Sequence, residues 1–371
     1  MTEFGEMIDF LNLDALDYPL RAVIGGLVIG LIFGGAALIS GFCLRTLVIG
    51  DERAKRIRQI RIWMIAIMVG LIGIYGLTYF YDLSLAGSIY RMDILNPIAI
   101  LVGGIMFGSG MVLARGCLAR HLVLGGTGNI RSWVVLLVAG LSAYATARGI
   151  FAYGRIYLGD LWVIEHDSSA VAPYILGVVG LLFVAGLLYA RRRLFQSESG
   201  QNPAKDAISA LLIGGAIVAS FYVTAIWALD EFDPSPAESL RFTLPLGDGI
   251  VYLLTHTGAD ANFSIALIGG VGIGSFIIAL MTKRFSLQGF EDARSTLRYM
   301  FAGVLMGIGG VMALGCTIGQ GLVGLSSLSS SAPLAIFAFY VGGKATNAYL
   351  QFRDHKVTSL ASKSPEFKGY A

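Results

Sequence analysis

Three cysteines hold most of the chemistry this chain offers: Cys43 in GFCLRTL, Cys117 in ARGCLAR and Cys316 in ALGCTIGQG. Each closes a glycine-rich apolar stretch. Laid together without gaps, 104–117 and 303–316 match at Gly104/Gly303, Gly108/Gly307, Gly110/Gly309, Val112/Val311, Ala114/Ala313, Gly116/Gly315 and Cys117/Cys316. Stretch 30–43 repeats the frame more weakly, with Gly30, Gly34 and Cys43 in register. A single membrane cysteine is ordinarily a small hydrophobe. A thiol that recurs inside an internal repeat is placed by the architecture. Thiols are weak donors and weak acceptors, which suits a soft, sulfur-bearing anion that must bind loosely enough to move on. Disulfide pairing is disfavoured, because three is odd and a membrane protein faces a reducing interior on one side. Zinc needs close Cys/His pairs, and no CxxC or HxxxH occurs. No metal, no cofactor and no catalytic residue is expected, since P-loop, nucleophile-elbow and dinucleotide signatures are missing.

Polar side chains gather around these thiols. Arg115, Arg120 and His121 flank Cys117, Gln320 follows Cys316, and Lys344 and Arg148 sit inside apolar stretches. Intramembrane cations are costly and usually face a pathway or a partner. The competing readings are anchoring for Arg115 and Arg120, an interfacial place for His121, and snorkelling for Arg148 and Lys344. The expected substrate path comprises Cys43, Cys117, Cys316, Gly116, Gly315, Arg115, Arg120, His121, Gln320 and Lys344.

The elements that carry these residues must be membrane helices. Charged residues make up 14% and mean hydropathy is +0.72, whereas a soluble domain carries about 25% charged residues. Stretches near the roughly 20 residues that span a bilayer occur at 22–44, 62–80, 97–117, 132–152, 171–190, 207–229, 263–281, 299–316 and 332–349. About nine transmembrane helices are expected, since only internally bonded backbone survives in lipid. No cleavable signal peptide is expected at 1–20, which is acidic and lacks a basic start. The net charge of +3 does not imply nucleic acid, because the cations occupy short loops. Those loops alternate between basic and acidic, which predicts an extracytoplasmic N-terminus and a cytoplasmic C-terminus.

The Cys117 and Cys316 frames lie five spans apart and so point in opposite directions. That is an inverted repeat, with a substrate site expected near the midplane. The expected layout is an extracytoplasmic segment 1–20, half-repeats 21–195 and 206–350, and a cytoplasmic tail 351–371. Stretch 263–281 shares a Gly-Gly start with 22–44, Gly269/Gly270 against Gly25/Gly26, but has no thiol. Dense glycines and the polar runs after Cys117 and Cys316 predict broken helices that turn back as short half-helices, because irregular backbone at membrane depth must line a cavity or be buried.

The GFC, ARGC and ALGCTIGQGL elements, inside nine glycine-rich spans, resemble the YeeE/YedE family of bacterial sulfur-compound transporters over about residues 20 to 350. The resemblance implies an hourglass-shaped, pseudo-symmetric all-α fold with central broken helices in the bacterial inner membrane. It implies thiosulfate uptake, with Cys43, Cys117 and Cys316 handing the anion along by S–H hydrogen bonds. It also implies a separate TusA-like sulfur-carrier protein as a partner, and it keeps selenium compounds open as substrates. A different class stays open from the residues alone: a membrane thiol redox or sulfur-transfer enzyme with a persulfidated cysteine, which needs a reactive, accessible thiolate.

Overall fold

The structure, a computed structural model, describes residues 17–50, 52–83, 85, 88–167, 175–177, 180, 203–229, 236–255, 261–290 and 292–361. Its helices are α1 (Tyr18–Ser40), α2 (Leu44–Ile49), α3 (Arg53–Tyr81), α4 (Pro97–Leu113), α5 (Leu118–Gly126), α6 (Ile130–Ala147), α7 (Ala152–Asp160), α8 (Pro203–Tyr222), α9 (Thr243–Leu254), α10 (Phe263–Met281), α11 (Ala293–Met312) and α12 (Ala332–Ala361). Helix α8 continues as a π-turn at Val223–Trp227, and a second π-turn spans Gly319–Gly324. Two short strands, β1 (Ile94–Leu95) and β2 (Ile164–Glu165), pair antiparallel outside the helices. The chain is an all-α, multi-pass membrane protein. Among the described residues, seven helical runs are long and apolar enough to cross a membrane. The expected span 171–190 lies mostly outside the described residues. The span 332–349 falls in α12, a helix long enough to cross but made more polar by Lys344 and Asn347.

Lipid-like surfaces give helices no hydrophobic reason to associate, so close backbone approach through small residues does the work. On α1, a Cβ added at Gly30 would stand 2.3 Å from the Leu267 carbonyl oxygen of α10, and one at Gly34 the same distance from that of Val271. Helix α10 returns the contact, with Gly270 and Gly274 against the carbonyls of Leu27 and Leu31 at 2.3 Å. The Gly-Gly starts shared by 22–44 and 263–281 thus belong to two helices packed directly on one another. The aligned glycines of the Cys117 and Cys316 frames also take matching roles. Gly108 of α4 lies against the Phe339 carbonyl of α12, and Gly307 of α11 against the Ala139 carbonyl of α6. Both pairs run parallel. Helices α4 and α11 cross each other antiparallel, Gly309 against Gly103 and Gly110 against Ala302.

Residues 285–290 form a loop that pairs with 128–130 through Ile130 N–H to Gln288 O and Gln288 N–H to Gly128 O. Helix α11 begins at Ala293 and α9 at Thr243.

Candidate functional site

All three cysteines sit at the start of a short helical segment that follows a break. Helix α1 ends at Ser40 and Cys43 caps α2; α4 ends at Leu113 and Cys117 caps α5; α11 ends at Met312 and Cys316 precedes the helical run from Thr317. The three breaks share one geometry. The residue two before each cysteine is left-handed: Gly41 at φ +62°, Arg115 at +63° and Leu314 at +59°. The next residue donates its N–H five residues back, Phe42 to Ala37 (3.2 Å), Gly116 to Met111 (3.0 Å) and Gly315 to Gly310 (2.8 Å). This is the Schellman ending that satisfies the last carbonyls of a helix. A left-handed non-glycine residue costs about 1–2 kcal/mol, so Arg115 and Leu314 are held there by their surroundings.

Buried polar side chains latch these breaks. Gln59 of α3 accepts from the Cys43 N–H at 3.2 Å and donates to the Gly41 carbonyl at 3.3 Å. Gln320, four residues after Cys316, donates to the Leu314 carbonyl at 3.0 Å and accepts from the Ser331 hydroxyl at 3.2 Å. In both breaks the clamped carbonyl belongs to the left-handed residue. His121, four after Cys117, lies beside the backbone of Ala114 and Gly116, and its Nδ1 is 3.1 Å from the Ser132 hydroxyl. Replacing Gln320 with alanine strands two buried partners, each worth about 1–3 kcal/mol when left unsatisfied. Gln320→Ala is therefore expected to lower the thermal midpoint of the purified protein measurably; an unchanged midpoint would show that the latch contributes nothing.

The thiols are sealed from solvent, at 7%, 2% and 0% exposure for Cys43, Cys117 and Cys316, and none is disulfide-bonded. Cys117 lies within electrostatic range of both others and beside the Thr317 hydroxyl. That hydroxyl is buried and makes no well-formed hydrogen bond. The Cys316 sulfur accepts from the Gly319 N–H at 3.5 Å, and the N–H groups of Ile318 and Phe242 also face it.

A cavity opens at each end of this row. The one at the Cys316 break, about 300 Å³, is lined by Tyr90, Arg148, Arg155, Arg241, Thr243 and Gly315, among others. Arg155 spends its guanidinium on the carbonyls of Thr146 and Ala147 that end α6. Arg241 pairs with Glu238 but keeps a buried Nε without a partner. Among the described residues, the buried Tyr90 and Thr243 hydroxyls likewise lack partners. The cavity at the Cys43 break, about 460 Å³, is lined by Gly41, Arg58, Arg120, Thr127, Arg284 and Gln288, among others.

Of the residues expected on the path, the three cysteines come together, joined by Thr317, which was not among them, and Gly315 and Arg120 reach the two cavities. Gly116 packs on the Arg120 stem, and Gly315, at φ +156°, occupies backbone space that favours glycine. Gln320 and His121 brace breaks. Arg115 and Lys344 are exposed, the latter with its ammonium 5.7 Å from the Tyr340 ring centroid. The serine run is mostly buried and its hydroxyls are spent on the protein's own backbone and side chains, as in Ser326 to the Ile67 carbonyl of α3 at 3.2 Å. Sequence reasoning missed Gln59, Tyr90, Arg155, Arg241 and Thr243, which lie far in sequence from the cysteines they approach. Arg148, for which a pathway and an outward snorkel were both open, is exposed and lines the cavity at the Cys316 break.

Comparison with known proteins places this geometry. A family model described as sulphur transport matches residues 39–345, which contain all three breaks. The chain is similar to the thiosulfate transporter TsuA of Escherichia coli, 28% identical over 81% of this chain and 87% of that protein. It is also similar to the thiosulfate transporter TsuA of Spirochaeta thermophila, 29% identical over 70% of this chain and 79% of that protein. A probable transporter of Xylella fastidiosa matches at 30% identity over 28% of this chain and 73% of its own length. The family and these relatives are transporters, not enzymes. With the match covering the three cysteine breaks and both arginine-lined cavities, this chain belongs to the sulphur transport family.

Proposed function

We propose that this chain imports thiosulfate across a bacterial inner membrane through its three helix breaks, visiting Cys316, Cys117 and Cys43 in that order. The observation that carries the reading is the row itself: Cys117 within range of both other thiols, with one arginine-lined cavity beyond Cys316 and another beside the Cys43 break. The orientation expected from the charged loops would put the Cys316 cavity outside. There Arg148 and Arg241 attract a dianion, and the idle Tyr90 and Thr243 hydroxyls replace part of its water. The S–H of Cys316 then donates to the terminal sulfur or an oxygen of the anion. Cys117 and the Thr317 hydroxyl take it next, and Cys43 passes it to the Arg120 and Arg284 side. No bond to sulfur forms. Weak donors suit this task, because a deep well at any station would trap the anion. The relatives named as thiosulfate transporters support the substrate, and the sulfur-based donors fit it. Consumption inside, with a separate TusA-like carrier as the acceptor, would keep the flow inward.

Tyr90→Phe removes one hydroxyl and keeps the ring, which packs edge-on to Phe221 at 5.8 Å. A hydrogen bond to a charged group is worth about 1.5–3 kcal/mol. The half-saturating thiosulfate concentration is therefore expected to rise about tenfold with the maximal rate little changed, read from initial uptake rates against concentration. The reading as a whole is tested with radiolabelled thiosulfate in a bacterial strain lacking its own importers. Wild type should accumulate label, and Cys43→Ala, Cys117→Ala and Cys316→Ala should not. No uptake of thiosulfate, with cysteine-dependent uptake of a labelled selenium compound, would move the substrate and keep the path.

A further inference from the structure

The cavity at the Cys43 break has an electrostatic feature that transport alone does not require. Its lining holds Arg58, Arg120 and Arg284 and no acidic side chain. Among the described residues, neither Arg120 nor Arg284 has an ion-pair or side-chain hydrogen-bond partner. Arg58 is different. Asp206, in the first turn of α8, takes its Nε at 2.7 Å and its Nη2 at 2.5 Å. The Asp206 side chain is 10% exposed and spends both oxygens on this one guanidinium. A plain staple between α3 and α8 would be redundant, since those helices already meet closely where Gly214 lies against the Ala66 carbonyl and Gly73 against Val218.

We infer that this cavity is a second oxyanion site, with Arg120 and Arg284 as its two free charges and Asp206 withholding the third, Arg58. Two unpaired guanidiniums match a dianion such as thiosulfate or sulfate. A third would deepen the well, because guanidinium forks bind oxyanions in two-point geometry. Asp206 thus sets the affinity of the last station low enough for release. The inference deepens the transport reading, and it is tested separately from it.

The test uses the purified full chain and whole-cell uptake side by side, with wild type, Asp206→Asn, Arg284→Gln and the double variant Arg58→Gln/Asp206→Asn. Radiolabelled thiosulfate is the probe, and sulfate is the second probe of equal charge. Asp206→Asn should bind about tenfold tighter and transport several-fold more slowly at saturation, with a lower half-saturating concentration. Arg284→Gln should bind more weakly. The double variant should return both affinity and rate to near wild type, because the charge balance is restored. If the double variant is as impaired as Asp206→Asn and both melt early, the pair is a structural staple and the inference fails. Unchanged affinity in both Asp206→Asn and Arg284→Gln also overturns it. Wild type that neither binds nor carries thiosulfate sinks the transport reading instead. The same three variants are then read with sulfate, where tighter binding by Asp206→Asn upholds the site and unchanged binding ends it.

Discussion

Cells expressing Cys117→Ala are expected to take up thiosulfate about 10- to 100-fold more slowly than cells expressing wild type. Cys117 is the thiol within range of both Cys43 and Cys316, and it lies beside the Thr317 hydroxyl. Removing its S–H deletes one hydrogen bond to a charged anion, about 1.5–3 kcal/mol, at the point where no arginine-lined cavity can substitute. Each 1.36 kcal/mol is tenfold in rate. The fold should survive, because alanine keeps the Cβ and the backbone bonds of the break, including His121 N–H to Cys117 O at 2.9 Å. Unfolding midpoint and membrane insertion should therefore stay near wild type while uptake collapses. Cys117→Ser separates donation from mere size: a hydroxyl still donates, so it should retain more activity than alanine. A persulfide on Cys117, read by mass after exposure to thiosulfate, would mean covalent transfer and would contradict passage by hydrogen bonds.

The largest structural effect is expected from Gly108→Leu. A Cβ there would stand 2.3 Å from the Phe339 carbonyl and 2.9 Å from the Gly343 nitrogen of α12. Both are backbone atoms and cannot swing aside. Helices α4 and α12 would have to separate, and α4 also crosses α11 and carries the Cys117 break. Overpacking a tight core costs about 1–3 kcal/mol and sometimes more, and here a whole helix pair must move. The variant should accumulate at a small fraction of the wild-type level in membranes, measured by quantitative blotting and by gel filtration after extraction. Gly249→Leu is the control: a Cβ at that glycine meets nothing within 4 Å, so its level should match wild type.

Two of the broken helices were legible because their cause is local. Dense glycines and the polar runs after Cys117 and Cys316 announced the breaks there, and the structure breaks at both; the break at Cys43, which no such run follows, was not announced. The left-handed residue was not legible. It falls on Arg115 and Leu314, next to the glycines that the sequence pointed to, because the Schellman ending fixes the geometry by hydrogen bonds rather than by residue type. Gln59 was hidden for a different reason: it latches the Cys43 break from α3, sixteen residues on, and a glutamine near a helix start carries no signal by itself. Arg155 comes from the short helix α7 and Arg241 from the connection before α9, and only the fold brings them to the Cys316 break. Lys344 read as an intramembrane charge from its apolar flanks, yet its helix turns it outward onto Tyr340.

The most direct measurement is uptake of radiolabelled thiosulfate into liposomes that contain this purified chain and no other protein. The account predicts saturable uptake above empty liposomes, diminished by Cys117→Ala at equal protein content. Liposomes with folded wild-type protein that take up no more label than empty ones would contradict it.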